Sequence, residues 1–175
     1  MNCHSDDYIC SDNELSEFCD AIHFADNFEA LKDKLDSHYD PDDDKDDEHG
    51  SYKSDYRYGR EQAPRPRPKM FTVFAPTNKA FEEYSTYVLK AEWDDLYDRM
   101  ISHLVKFHII KDDVKYEDDL ICTHAVEMMN GVDSRTVCSS GYKHQKGAKN
   151  PRDDMPRIVE DDIAACNGVI HKVDE

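Results

Sequence analysis

Long apolar runs are missing from this sequence. No stretch approaches the ~20 residues that a membrane-spanning helix needs, and the opening Asn2-Cys3-His4-Ser5-Asp6-Asp7 is too polar for a signal peptide. Basic residues are in the minority, 22 against 39 acids, for a net charge of −17. That balance argues against nucleic acid, whose phosphates demand a basic face. It fits a solvated acidic surface and cationic or basic partners. No Cys-x-x-Cys pair occurs, which weakens zinc-ribbon and thioredoxin readings. Gly-x-Ser-x-Gly, a phosphate-cradling glycine loop and His-Glu-x-x-His are absent as well, so the chain is read as a non-enzyme without a cofactor. There is neither an Asn-x-Ser/Thr sequon nor an Arg-Gly-Asp.

What is present suffices for one domain with a real core, since the chain has 175 residues. Its six cysteines stand at 3, 10, 19, 122, 138 and 166. An even count in an acidic domain fits an oxidising compartment, and so a secreted or cell-surface protein. Cys10 and Cys19 flank the start of the first expected helix. Cys122 and Cys138 flank Asn130-Gly131, a hairpin signal, and lie roughly opposite each other if the turn is centred there. Cys3 and Cys166 remain, and Cys166 also competes for Cys138, so the connectivity stays open.

Along the chain, residues 1–10 lack periodicity and read as a lead-in tail. Ser11 with Glu14 forms a capping-box pattern, and Leu15, Phe18, Cys19 and Ile22 recur at helical spacing. Asp26 with Glu29 repeats the cap ahead of Phe28, Leu31 and Leu35. Residues 40–68 then break the pattern with an acidic run, tyrosines, and arginines alternating with prolines. Such a segment buries too little apolar area to offset its ordering entropy, so it reads as a mobile insertion. Deleting 42–66 behind a short glycine-serine bridge is expected to leave the melting transition nearly unchanged; loss of cooperative unfolding would show that the insertion packs on the core.

Phe71-Thr72-Val73-Phe74-Ala75-Pro76-Thr77-Asn78-Lys79-Ala80-Phe81 reads as a strand with one buried face, ended by Pro76. Thr77 or Asn78 then caps the helix that follows. Trp93, Leu96, Met100, Ile101 and Leu104 form an apolar helical stripe, and Val105–Ile110 is apolar enough for a strand. Lys111-Asp112-Asp113 is a turn and 116–120 a single helical turn. Ala125–Met129 and Arg135–Cys138 form a hairpin, 139–155 a loop, and 156–159 a short strand. Residues 161–165 lead into Asn167-Gly168-Val169-Ile170-His171-Lys172-Val173-Asp174.

The stretch 71–81, the pair Phe107-His108 and the stretch 167–174 together resemble the three signatures of the fasciclin domain: the FTVFAPTNxAF box, a Tyr-His pair and the NGVIHxxD box. The resemblance spans roughly residues 12 to 174. It implies an α+β fold over 11–175, a twisted antiparallel β wedge or sandwich flanked by several short helices. It also implies an extracellular or cell-surface adhesion or matrix module that binds protein or polysaccharide partners. The residues carried over are Phe71, Thr72, Phe74, Ala75, Pro76, Thr77, Asn78, Phe81, Phe107, His108, Asn167, Gly168, His171 and Asp174. Within it, His108 and His171 are structural, bonding backbone near the core, and not metal ligands. Phe107 replaces the family's tyrosine, so an adhesive role tied to that phenol is not expected. Cys122, Cys138 and Cys166 stand where the resemblance associates cysteines with a subset from unicellular algae. Fasciclin domains usually continue into another apolar strand, so the chain reads as an excised or truncated domain.

Two chemical alternatives remain. Asp40, Asp42 and Asp44 imitate the first ligand positions of a calcium-binding loop, but Lys45 replaces the glycine and Ser51 the bidentate glutamate. Weak calcium association by the acidic insertion is the expectation, which makes a small-ligand or cation-binding module the second reading of function. Cys166 with His171 as a thiol nucleophile and base fails on geometry, because the two positions face opposite sides of a strand.

Overall fold

The computed structural model describes residues 5–25, 70–82, 94–151, 155–165 and 167–175. The expected helix over 28–35, the charged segment 40–68 with Asp40, Asp42 and Asp44, Trp93, and Cys3 and Cys166 lie outside them.

Helix α1 (Ser5–Ser11) occupies most of what the sequence presents as a tail. Ile9 explains it: the side chain is fully buried in the core, and Tyr8 packs beside it. About two turns are too few for periodicity to show. The expected Ser11–Glu14 box does not form. Ser11 Oγ donates to the Tyr8 carbonyl at 2.9 Å, and Asp12 Oδ1 takes the Glu14 N–H at 2.9 Å. Helix α2 (Ser16–Phe24) therefore starts later, and buries Phe18, Cys19, Ala21 and Ile22.

Strand β1 (Phe71–Pro76) is buried at every position, not on one face. Its place in the sheet is the reason: it lies second in the order β2-β1-β7-β6 and is covered on both faces. Phe71, Val73 and Ala75 join the helical side, with Ile9, Leu15, Phe18, Ile22, Ile101 and Val105. Phe74 joins a second cluster with Ile110, Leu120, Met128, Ile158 and Val173. Helix α3 (Asp94–Phe107) runs through Val105, Lys106 and Phe107, where a strand was expected, because Val105 extends the helical stripe one turn beyond Ile101. Strand β2 is reduced to Ile109–Lys111, and pairs antiparallel with β1.

A 3-10 turn over Glu117–Asp119 precedes β3 (Ala125–Glu127), which pairs antiparallel with β4 (Asp133–Ser139). The segment expected as a loop contains β5 (Tyr142–Gly147), paired along the whole of β4. Its signal is Ser140-Gly141, which turns the chain with φ of 53° and 82°. Two successive positive φ values are the turn that matches strand twist. Strands β3-β4-β5 form the second sheet. Strand β6 (Ile158–Ala165) bulges twice against β7 (Gly168–Val173). The fold is thus α+β, with the four-stranded sheet between the helices and the second cluster. Among the described residues all strand pairings are antiparallel except the central one: β1 and β7 run parallel, Phe71 opposite Gly168 and Phe74 opposite His171.

Candidate functional site

The first and last signature stretches meet along the β1–β7 seam, and most of the residues singled out from the sequence converge there. Thr72 is fully buried, donating through Oγ1 to the Asp113 carbonyl at 3.0 Å and accepting the Lys115 N–H at 2.8 Å. Asn78 does not cap its own helix, the short segment 78–82. It caps α2 from across the fold: Oδ1 takes the Glu17 N–H at 3.0 Å, while Nδ2 donates to the Asn13 carbonyl at 2.8 Å and to Ser16 Oγ at 3.0 Å. Thr77 supplies backbone only, its N–H to Val173 and its carbonyl to Phe81. At the other end, Asp174 clamps Arg157, taking its backbone N–H at 2.9 Å and its guanidinium at 2.9 and 3.2 Å.

His171 has no exposed surface and stacks on Phe74 with ring centroids 5.4 Å apart. Nε2 donates to the Lys115 carbonyl at 2.8 Å, and Nδ1 accepts the Asp162 N–H at 3.3 Å. That pattern suits one neutral tautomer. It ties the β6 bulge, where Asp162 has φ 53°, to the loop before the 3-10 turn. Burial pushes the imidazole below its ordinary value, outweighing the upward pull of the Lys115 carbonyl and of Asp162. His108 donates through Nδ1 to the Leu104 carbonyl at 2.8 Å, and burial holds it low as well. A histidine kept neutral in the fold but free to protonate when unfolded favours unfolding as pH falls. Stability from these two is therefore complete above about pH 6.5 and declines below it. Denaturant midpoints are expected to fall from pH 7 to pH 5, and to fall less in His171→Gln. An unchanged slope in that variant would assign the pH dependence elsewhere.

Lys172 is the residue that sequence reasoning passed over. Its side chain is 6% exposed, and Nζ lies 2.6 Å from Asp12, 2.9 Å from Glu160 and 3.2 Å from Glu14. The alternation of β7 gives no signal for it, because β7, like β1, is covered on both sides.

The bridges Cys10–Cys19 and Cys122–Cys138 are both present, with Cα atoms 5.1 and 5.5 Å apart. His23 Nε2 lies 3.9 Å from the sulfurs of Cys10 and Cys19. Among the described residues this is the one grouping with metal-ligand types, and its sulfurs are spent in the bridge.

Beside the seam lies a cavity of about 250 Å³. Phe74, Phe81, Leu104, Phe107, Met128 and Val173 form its apolar wall, and Gln145 lines it from β5. Phe107 sits edge-on to His108, and Phe81 packs on Phe18 with centroids 6.3 Å apart. No sequence signal announced this cavity, since Gln145 falls in the segment expected as a loop.

The model of the fasciclin domain family matches residues 60–175, about two thirds of the chain. This chain belongs to the fasciclin family. The fasciclin fold is also found by structure: a FAS1 domain pair from the insect cell adhesion molecule fasciclin I superposes with a TM-score of 0.66 at 13% identity. The match covers 98% of this chain and 49% of that one, so this fasciclin domain spans about half the length of the solved pair. At that identity the likeness shows the fold alone. A search of curated protein sequences finds no match. Among the described residues of this fasciclin domain, no helix is long and apolar enough to cross a membrane.

Proposed function

We propose that this fasciclin domain is an adhesion or matrix module of an extracellular or cell-surface protein, with protein or polysaccharide partners. Family membership carries the reading. The solved relative comes from a cell adhesion molecule, and the two bridges suit an oxidising compartment. No enzymatic step is assigned to it. Because fold alone does not name a partner, the test is adhesion itself. Beads coated with the folded domain are expected to attach to the native cell surface, and free domain to compete them off. Attachment no better than that of reduced, unfolded chain would overturn the reading. Peptide mass spectrometry of non-reduced native protein is expected to recover both bridges, and six free thiols would sink the extracellular assignment.

The acidic run 40–48 supports a second reading, a weak calcium-binding module. Its carboxylates are the oxygen ligands that this cation prefers. Calorimetric titration separates the two: saturable heat at millimolar calcium or tighter establishes the cation site, and no heat leaves the adhesive reading alone.

A further inference from the structure

The cavity beside the seam contains one buried polar atom without a partner among the described residues. Gln145 is 6% exposed, and its Nε2 has no hydrogen-bond partner among the described residues. Its Oε1 is occupied, accepting from Thr136 Oγ1 at 3.0 Å. The backbone of Gln145 is held as well, its N–H donating to the Pro156 carbonyl at 2.9 Å. The side chain is thus anchored through Oε1 on a held backbone, with the NH₂ left over. A buried donor without a partner costs about 1–3 kcal/mol, and such groups are rare enough in folded proteins to call for a reason.

Three other polar side chains on the wall each make a hydrogen bond to backbone. His108 Nδ1 donates to Leu104, Ser134 Oγ donates to the Lys146 carbonyl at 3.3 Å, and Asn150 Oδ1 takes the Gly147 N–H at 2.9 Å. The remaining wall is aromatic and aliphatic. An apolar recess with one convergent donor is the usual form of a small-molecule site. Size narrows the occupant: a cavity of about 150 Å³ holds benzene, so about 250 Å³ admits one ring with a short substituent. Charge narrows it further. Glu175 stands at the cavity, and the chain carries a net charge of −17, so an anion is disfavoured.

We propose that this cavity is a binding site for a small, neutral, largely apolar molecule carrying one hydrogen-bond acceptor, which Gln145 Nε2 engages. This goes beyond the adhesive reading and stands without it. The rings of Phe74, Phe81 and Phe107 hold the apolar body, Met128 adapts to its shape, and the amide fixes its orientation.

The probe is acetophenone, a phenyl ring with one carbonyl, compared with α-methylstyrene, which has the same shape without the acceptor. NMR titration of the wild-type chain is expected to give saturable shifts at the Met128 methyl and the Gln145 side-chain amide. Acetophenone is expected to bind about fivefold more tightly than α-methylstyrene, the factor that one neutral hydrogen bond provides. Benzoate, an acceptor with a charge, is expected not to saturate. Leu104→Phe fills the cavity and should weaken acetophenone at least tenfold while the melting transition survives. Should that variant fail to fold, Thr136→Val with Gln145→Leu removes the donor without orphaning its partner, and should equalise the two neutral probes. Absence of saturable shifts, equal affinity of the two neutral probes for wild type, or binding unaffected by the variants would each overturn the site. No cell surface enters these measurements, so their failure is separate from failure of adhesion.

Discussion

Gly168→Ala is expected to cost about 4 kcal/mol, at the far end of single-substitution effects and a large share of a domain stability of about 5–15 kcal/mol. A Cβ at this position would lie 1.9 Å from the Phe71 carbonyl oxygen, 2.8 Å from its carbon and 3.0 Å from its nitrogen. These are backbone atoms, so no rotamer change relieves the clash. Gly168 and Phe71 are the first rung of the parallel pair, and the Phe71 N–H is bonded to the Asn167 carbonyl at 2.9 Å. Separating them shifts Phe71, a fully buried ring, out of the helical cluster. Gly131→Ala is the internal comparison. Gly131 has φ 79° but open space around it, so only backbone strain opposes the change, about 1–2 kcal/mol. Urea unfolding of both variants checks the contrast. A Gly168→Ala protein within about 1 kcal/mol of wild type would show that the two strands separate at little cost.

The same seam shows what could be read from the sequence and what could not. The two signature stretches are legible because each packs apolar β-favouring residues into a few positions, the first ended by a proline, and the hairpin and both described bridges follow from local signals. Long-range partnership is not local. Nothing in Asn78 says that its side chain will cap α2, more than sixty residues upstream. Nothing in the β1 alternation distinguishes a strand covered on one face from one covered on two. Ile9 looked like part of a tail because one buried side chain has no period. β5 was missed because Tyr142-Lys143-His144-Gln145-Lys146-Gly147 is polar, and its Ser-Gly turn is a weaker sign than Asn-Gly. The cavity and the unused amide of Gln145 lie between elements far apart in sequence, and only the fold brings them together.

Lys172→Met is expected to cost about 2 kcal/mol, below the ~3–5 kcal/mol of a fully buried pair, because Lys172 and Asp12 are largely buried while Glu160 and Glu14 stay 52% and 71% exposed. The ammonium ties β7 to two other segments: Asp12 and Glu14 from the α1–α2 junction, and Glu160 from β6. Without it, a carboxylate only 18% exposed is left beside two others of the same sign. The pH profile tests this cause against simple loss of packing. Burial alone would lower the Lys172 pKa, but its bonds to Asp12, Glu160 and Glu14 raise it above the ordinary 10.5. Burial alone would raise Asp12, and the bonds from Lys172 and the Glu14 N–H hold it below the ordinary 3.8. The lysine's contribution is therefore complete below about pH 10 and lost only in alkali. The aspartate's is complete above about pH 4 and lost as pH falls through its lowered value. The gap between wild type and Lys172→Met should accordingly be widest at neutral pH and shrink toward pH 3, as the Asp12 carboxylate takes up a proton. Adding Asp12→Asn and Glu160→Gln to Lys172→Met should recover part of the loss, because removing both sides of an ion pair costs less than leaving one side uncompensated. Equal gaps at pH 3 and pH 7, with no recovery in the triple variant, would mean that the lysine stem and not its charge joins β7 to the helices.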